Sequence, residues 1–341
     1  MSRYLAIFLA ALAAWGQTPL KSGTTENLRG ISVVSDKVAW ASGTHGTYLR
    51  TRDGGSSWQA AQVPGAEGLD FRDVEAFGAD VAYLLAAGPG EQSRIYKTTD
   101  AGAHWGLQFT NVNPKGFFDC MAFWDVGHGI AVGDPVADGL GKLRFEVMVT
   151  ADGGGHWNAV AANAVPEAVE GEGSFAASGT CVAVQGKKNA WFVTGGKVAR
   201  VFRSRDRGRT WTVADTPMVH GAASAGIFSV AFRDSKHGTI AGGDYKDPAT
   251  GEDNLAFTED GGKTWALSGV RPQAYFSAVA YDRKLHRILA TGTALTIEIE
   301  GNKTQKLSEQ NLNALGVTRS GKAIAVGPKG LVVELTGRDG R

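Results

Sequence analysis

The chain has 341 residues, a formal net charge of +1 and 43% hydrophobic residues. So even a charge balance gives no electrostatic case for binding nucleic acid or an anionic membrane. Its 47 glycines and nine tryptophans are high and point to turn-rich β structure with large apolar plugs.

At the amino terminus, MSRYLAIFLAALAAWGQ sets Arg3 before an apolar run from Leu5 to Trp15. Ala14 and Gly16 are small residues suitably placed for cleavage before Gln17. The pattern predicts a signal peptide over 1–16, export to the periplasm or medium, and a mature chain of 17–341. The run is too short to span a bilayer as a mature helix, and no later stretch reads as transmembrane. No cysteine stands at the cleavage point to accept a lipid anchor.

From there the chain repeats one phrase: an alternating strand, a turn, an apolar strand ending near Gly, a loop, a third strand, an octet and a fourth strand. The first strands read ISVV, VEAF, CMAF, CVAV, SVAF, AVAY and ALGV, starting near 31, 74, 120, 181, 229, 278 and 314. The octets are TRDGGSSW (51–58), TTDAGAHW (98–105), TADGGGHW (150–157), SRDRGRTW (204–211) and TEDGGKTW (258–265). Their Asp and Trp residues are Asp53 and Trp58, Asp100 and Trp105, Asp152 and Trp157, Asp206 and Trp211, and Asp260 and Trp265. A period of about 50 residues suits propeller blades. The expected fold is all-β: one domain, a seven-bladed propeller of four-stranded antiparallel blades with no long helix.

Turn chemistry accounts for the octet. Asp accepts hydrogen bonds from backbone N–H groups two or three residues on, Gly supplies positive φ, and Trp is a wedge with a polar N–H. EGNKTQKL (300–307) reads as an octet that has lost its Asp and Trp, and the last phrase stops after LVVEL (331–335). The segment QTPLKSGTTENL (17–28) is expected to supply the missing outer strand and close the ring, removing two exposed sheet edges.

With the octets on one face, the long loops fall on the other, where binding residues gather on a rigid scaffold. They are 133–144, 242–254, and the blade connectors 158–180 and 213–228. Residues just before the inner strands are expected to ring the channel mouth: Arg29, Arg72, Asp73, Phe117, Phe118, Asp119, Phe228, Tyr275 and Phe276, with Tyr245 on a neighbouring loop. Asp134 and Asp244 hold matching places ahead of long loops, and Glu172 lies in a connector. These three are turn caps, cation ligands or an acid/base set. His104 and His156 fall in octets, His128 and His237 in first hairpin turns, and His45 and His220 in loops; none is given a catalytic role. Cys120 and Cys181 occupy matching places in consecutive repeats and either bond after export or remain two buried small residues. No metal-binding spacing and no cofactor motif is present, so neither is expected.

The octet skeleton resembles the Asp-box, or BNR, repeat of sialidases, sortilin-type receptors, xyloglucan hydrolases and photosystem II assembly factors. The resemblance implies that the octets join the third and fourth strands of each blade, opposite the ligand face. Phrases such as SVAFRDSKHGTIAGGDY followed by TEDGGKTW look most like the photosystem II assembly and stability factor group, over about residues 28–335. GEGSFAASGTCVAV also looks like exported bacterial BNR proteins. Two function classes follow. One is an exported, non-catalytic propeller binding a protein or glycan. The other is a glycoside hydrolase, either sialidase-like through Arg29, Arg72 and Arg144 or using two carboxylates among Asp134, Asp244 and Glu172. The sialidase Arg-Ile-Pro entry is absent, with LRGISV (28–33) in its place.

Overall fold

The computed structural model describes residues 18–335, so the expected signal peptide lies outside the described residues. Seven antiparallel sheets follow one another along the chain. Blade 1 shows the plan: Leu28–Val33, Ala39–Gly43, Thr47–Thr51 and Gln59–Gln62 pair in sequence order from the axis outward. The later blades open with Phe71–Ala76, Phe118–Asp125, Val182–Gln185, Ala225–Phe232, Ala278–Asp282 and Ala314–Val317. Among the described residues, helix is confined to two single 3-10 turns, Gly90–Gln92 and Ala162–Ala164.

Burial explains the composition of each strand. Second strands such as Ala39–Gly43 and Ala82–Ala86 are buried at every position, since both faces of a blade pack against neighbours. Fourth strands such as Gln59–Gln62 lie at the rim and are mostly exposed. In blade 7 the outer place is taken by Thr18–Leu20, which pairs antiparallel with the third strand, Leu20 opposite Val332. The blade 5 sheet has two extra strands, because Glu172–Gly173 pairs with Gly195–Gly196 and Gly195 pairs with Gly226. This bridge ties the connector before blade 4 to the inner strand of blade 5.

The five octets fold alike. In the first, Thr51 Oγ1 donates to Asp53 Oδ1 at 2.9 Å and accepts from the Gly55 N–H at 2.9 Å. The Asp53 carboxylate accepts from the N–H and hydroxyl of Ser57, four residues on rather than two or three. The same seventh position is His104, His156, Thr210 and Thr264 in the other octets, each bonding the Asp through both backbone and side chain. These bonds hold Asp53 and Asp100 well below the usual carboxylate range. The fifth-position Gly262 has φ +82°, and an added Cβ would sit 2.9 Å from Trp191 Nε1.

Each octet seals the seam with the preceding blade. Trp191 of blade 4 donates to Gly261 O of the blade 5 octet at 2.9 Å, and Tyr83 of blade 2 donates to Gly153 O of the blade 3 octet at 2.8 Å. The indole N–H groups of the octets are not used alike. Only the Trp211 indole has a partner for its N–H, Gly208 O; the buried N–H groups of Trp58, Trp105, Trp157 and Trp265 have none. Those indoles serve as apolar wedges.

Blade 6 departs from the sequence reading. Its third and fourth strands, Thr296–Glu300 and Lys303–Ser308, continue in register until Glu300 faces Lys303. In blade 5 the last such pair is Phe257 and Ala266, with eight residues between them. Residues 300–307 are therefore not a decayed octet: a two-residue Gly301-Asn302 turn replaces the loop. Finally, Cys120 and Cys181 form a disulfide with Cα atoms 6.0 Å apart, joining the inner strand of blade 3 to the entry of blade 4.

Candidate functional site

The inner strands are stitched around the ring by short polar side chains. Ser32 Oγ accepts from Ala76 N–H, Asp73 from Met121 N–H, and Ser229 from Val279 N–H, while Ser277 donates to Asn313 O and Asn313 to Leu28 O. Residues 174–180 of the long connector run across this ring. Ser174 N–H donates to Asp134 at 2.9 Å, Ala176 O accepts from Arg72, Ser178 Oγ reaches Ser277 O at 2.7 Å, and Thr180 bonds Ser229 at 2.6 Å. One short segment thus touches blades 2, 3, 5 and 6 and forms a floor.

Above the floor lies a cavity of about 440 Å³, a size suited to a small ligand or a few residues of peptide. Eight of the expected binding-face residues line it: Arg29, Arg72, Phe117, Asp119, Asp134, Phe228, Tyr245 and Tyr275. They come from inner strands and their entries, from the second strand of blade 3 and from one second-to-third loop, so the octets take no part. Two guanidiniums share one carboxylate: Arg72 Nε bonds Asp70 Oδ2 at 2.7 Å, and Arg29 lies 3.8 Å from the same oxygen. Burial and the neighbouring Arg72 charge push the Arg29 pKa down. Opposite them, Phe175 stacks on Phe228 with centroids 3.9 Å apart, and Tyr275 meets Phe228 edge-on at 4.8 Å.

Two acids complete the wall. Burial, and then the Asp134 charge, push Asp119 well above the usual range, against the opposing influence of Arg72. Its Oδ2 is buried without a hydrogen-bond partner. Burial also raises Asp134, although the Ser174 N–H opposes the rise. The site therefore offers a pair of guanidiniums with part of their charge uncompensated, acids biased toward their donor form, and a rigid aromatic wall. An anionic group beside an apolar one matches it.

Other expected site residues lie elsewhere. Asp73, Phe118 and Phe276 are buried in the packing of the inner strands. Glu172 is locked by Arg200, with Nε to Oε1 at 3.0 Å, and by the Thr194 hydroxyl at 2.6 Å, so it is not a free acid. Asp244 caps its own turn by accepting from the Lys246 N–H. Arg144 is held by Asp138 and the Val165 carbonyl, away from Arg29 and Arg72. The proposed trio Asp134, Asp244 and Glu172 is not brought together, and neither is the arginine triad. His45 pairs with Glu26, and His220 with the Met218 carbonyl. Sequence reasoning missed Ser174, Phe175, Ala176, Ala177, Ser277, Thr293 and Asn313, all of which line the cavity. The connector GEGSFAASGT was singled out, but nothing in it signalled that Phe175 would turn inward. Among the described residues no cluster of His, Cys, Asp and Glu could hold a metal ion, and no helix is long and apolar enough to cross a membrane.

No family model matches the chain, and no curated protein does. Solved structures match over nearly its whole length. YCF48 bound to a D1 peptide aligns with TM-score 0.67 and 17% identity, covering 96% of this chain and 97% of that one. YCF48 from Cyanidioschyzon merolae gives 0.63 and 17%, covering 94% and 98%. An ancestral GH74 enzyme gives 0.68 and 13%, covering 96% of this chain but 47% of the enzyme. At these identities the likeness extends to the propeller fold alone.

Proposed function

We propose that this chain is an exported, non-catalytic β-propeller that captures a polypeptide segment at the channel mouth. Arg29 and Arg72 take an acidic side chain or terminal carboxylate, and Phe175, Phe228 and Tyr245 take the adjacent apolar side chain. The observation carrying this reading is that paired guanidiniums on inner strands and a stacked aromatic wall line one cavity. The peptide seen with YCF48, a propeller matching this chain end to end, supports a protein ligand over a glycan. An assembly or stability role suits such a binder. The signal-peptide pattern of residues 1–16 supports its place outside the cytoplasm.

The test is a peptide library selected on the wild-type protein, with the best peptide titrated by calorimetry. Arg29→Gln and Arg72→Gln each weaken it by about tenfold or more, the loss of one charge-assisted hydrogen bond. Equal affinity in both variants would sink the proposal. A second reading rests on Asp119 and Asp134, two carboxyl groups lining one cavity, the number that glycoside hydrolysis uses when one of them is ionised. Turnover of glucan oligosaccharides that disappears in Asp134→Asn would replace binding by hydrolysis.

A further inference from the structure

The seam between blades 5 and 6 differs from the five that enter blades 1 to 5, on the face opposite the mouth. In the seams entering blades 1 to 5, two side chains fill the space. One comes from the second strand of the preceding blade, and the other is the tryptophan of the following octet. The first position is fixed by the residue it faces on the first strand: Trp40, Tyr83, Ile130 and Trp191 in blades 1 to 4, and Ile324 in blade 7. The partner wedges are close by. Trp40 lies edge-on to Trp105 at 6.2 Å, while Ile130 and Trp211 both flank Gly208. Trp191 and Trp265 both flank Gly262, and Ile324 and Trp58 both flank Gly55.

Entering blade 6, both fillers are missing. The second-strand position is Thr239, facing Ala231, and the octet with its tryptophan is replaced by the Gly301-Asn302 turn. A cleft of about 330 Å³ remains, lined by Ala231, Thr239, Phe257, Tyr281, Ile288 and Ile299 and bounded by Gly301 and Asn302. For scale, an apolar cavity of about 150 Å³ accepts benzene. Exposed Arg233 and Glu259 stand at its edge, able to meet backbone carbonyl and N–H groups.

We infer that this cleft binds the tryptophan side chain of a partner polypeptide, supplied in trans to a seam that lacks both the octet tryptophan and a large second-strand residue. The occupant follows from the five sister seams. Each is filled by an indole on a Gly-containing turn, and blade 6 keeps the slot while deleting the loop that carries the ring. The site is separate from the channel mouth, so its test does not depend on the function proposed above.

The probe is N-acetyl-Gly-Trp-Gly-amide, titrated against the full chain by NMR chemical-shift perturbation, with the Leu analogue and free indole in parallel. The Trp peptide binds saturably, at least about tenfold tighter than the Leu peptide, and shifts resonances of Thr239, Phe257 and Ile288. Thr239→Trp fills the slot as Trp40 and Trp191 do in their blades: it abolishes the binding and raises Tm. Thr239→Ile, the Ile130 and Ile324 solution, weakens binding and covers the case in which the larger variant does not fold. Equal binding of the Trp and Leu peptides, or undiminished binding in a folded Thr239 variant, overturns the inference. Indole bound without the Trp peptide overturns the polypeptide occupant.

Discussion

The Thr258 hydroxyl is the hinge of its octet: it donates to Asp260 at 2.8 Å and accepts from the Gly262 N–H at 2.9 Å. Thr258→Val keeps the shape and strands a buried N–H, so it costs about 1–3 kcal/mol in urea denaturation, against nearly nothing for an exposed residue such as Thr212. An unchanged midpoint would mean that the turn is held by Asp260 alone. At this scale the sequence was informative wherever a residue's role is local. The Thr, Asp and Gly of the octet act within a few positions of themselves, so their pattern is readable. Arg29, Asp119 and Tyr275 were legible too, because strand order alone places them at the mouth. Phe175 was not, since its direction depends on connector contacts with Arg72, Asp134 and Ser277, three residues far away in the chain. Glu172 misled for the same reason: its partner Arg200 lies on another strand.

Strands and turns were legible by period, and the exceptions are informative. A tight two-residue hairpin and a decayed octet look alike as letters, and only the pairing of Glu300 with Lys303 separates them. The disulfide was open from sequence because it needs two inner-strand entries to come together, and they do. It closes a loop of 61 residues that contains most of blade 3 and the whole following connector. Replacing both cysteines by Ser lowers stability by about 2–4 kcal/mol, measured by urea unfolding of the oxidised wild type beside the variant. Protection from hydrogen exchange should fall first in 174–180, whose floor the bond anchors. Loss spread evenly over all seven blades would contradict that placement.

Across the whole ring, several acids are wholly or partly withdrawn from water: Asp73 and Asp119 are buried and Glu75 is half-buried. Burial pushes Glu75 up to about 8 from 4.5, and burial followed by the Glu75 charge raises Asp73. The sign follows from proton counts. Below pH 4.5 both folded and unfolded chains hold the Glu75 proton. Between 4.5 and about 8 the unfolded chain has lost it while the folded one keeps it, so stability falls as pH rises through that window and levels off above it. Glu75→Gln removes this share of the decline, and its Tm advantage over wild type grows from pH 5 to pH 8. A pH-independent difference would place the Glu75 proton equally in both states.

The segment that crosses the ring at 174–180 also puts an obstacle on the axis of the site. A polymer threading along the axis would have to pass this segment and its bonds to Asp134, Arg72, Ser277 and Ser229. Such an obstacle favours chain ends and hairpin loops over the middle of an extended filament.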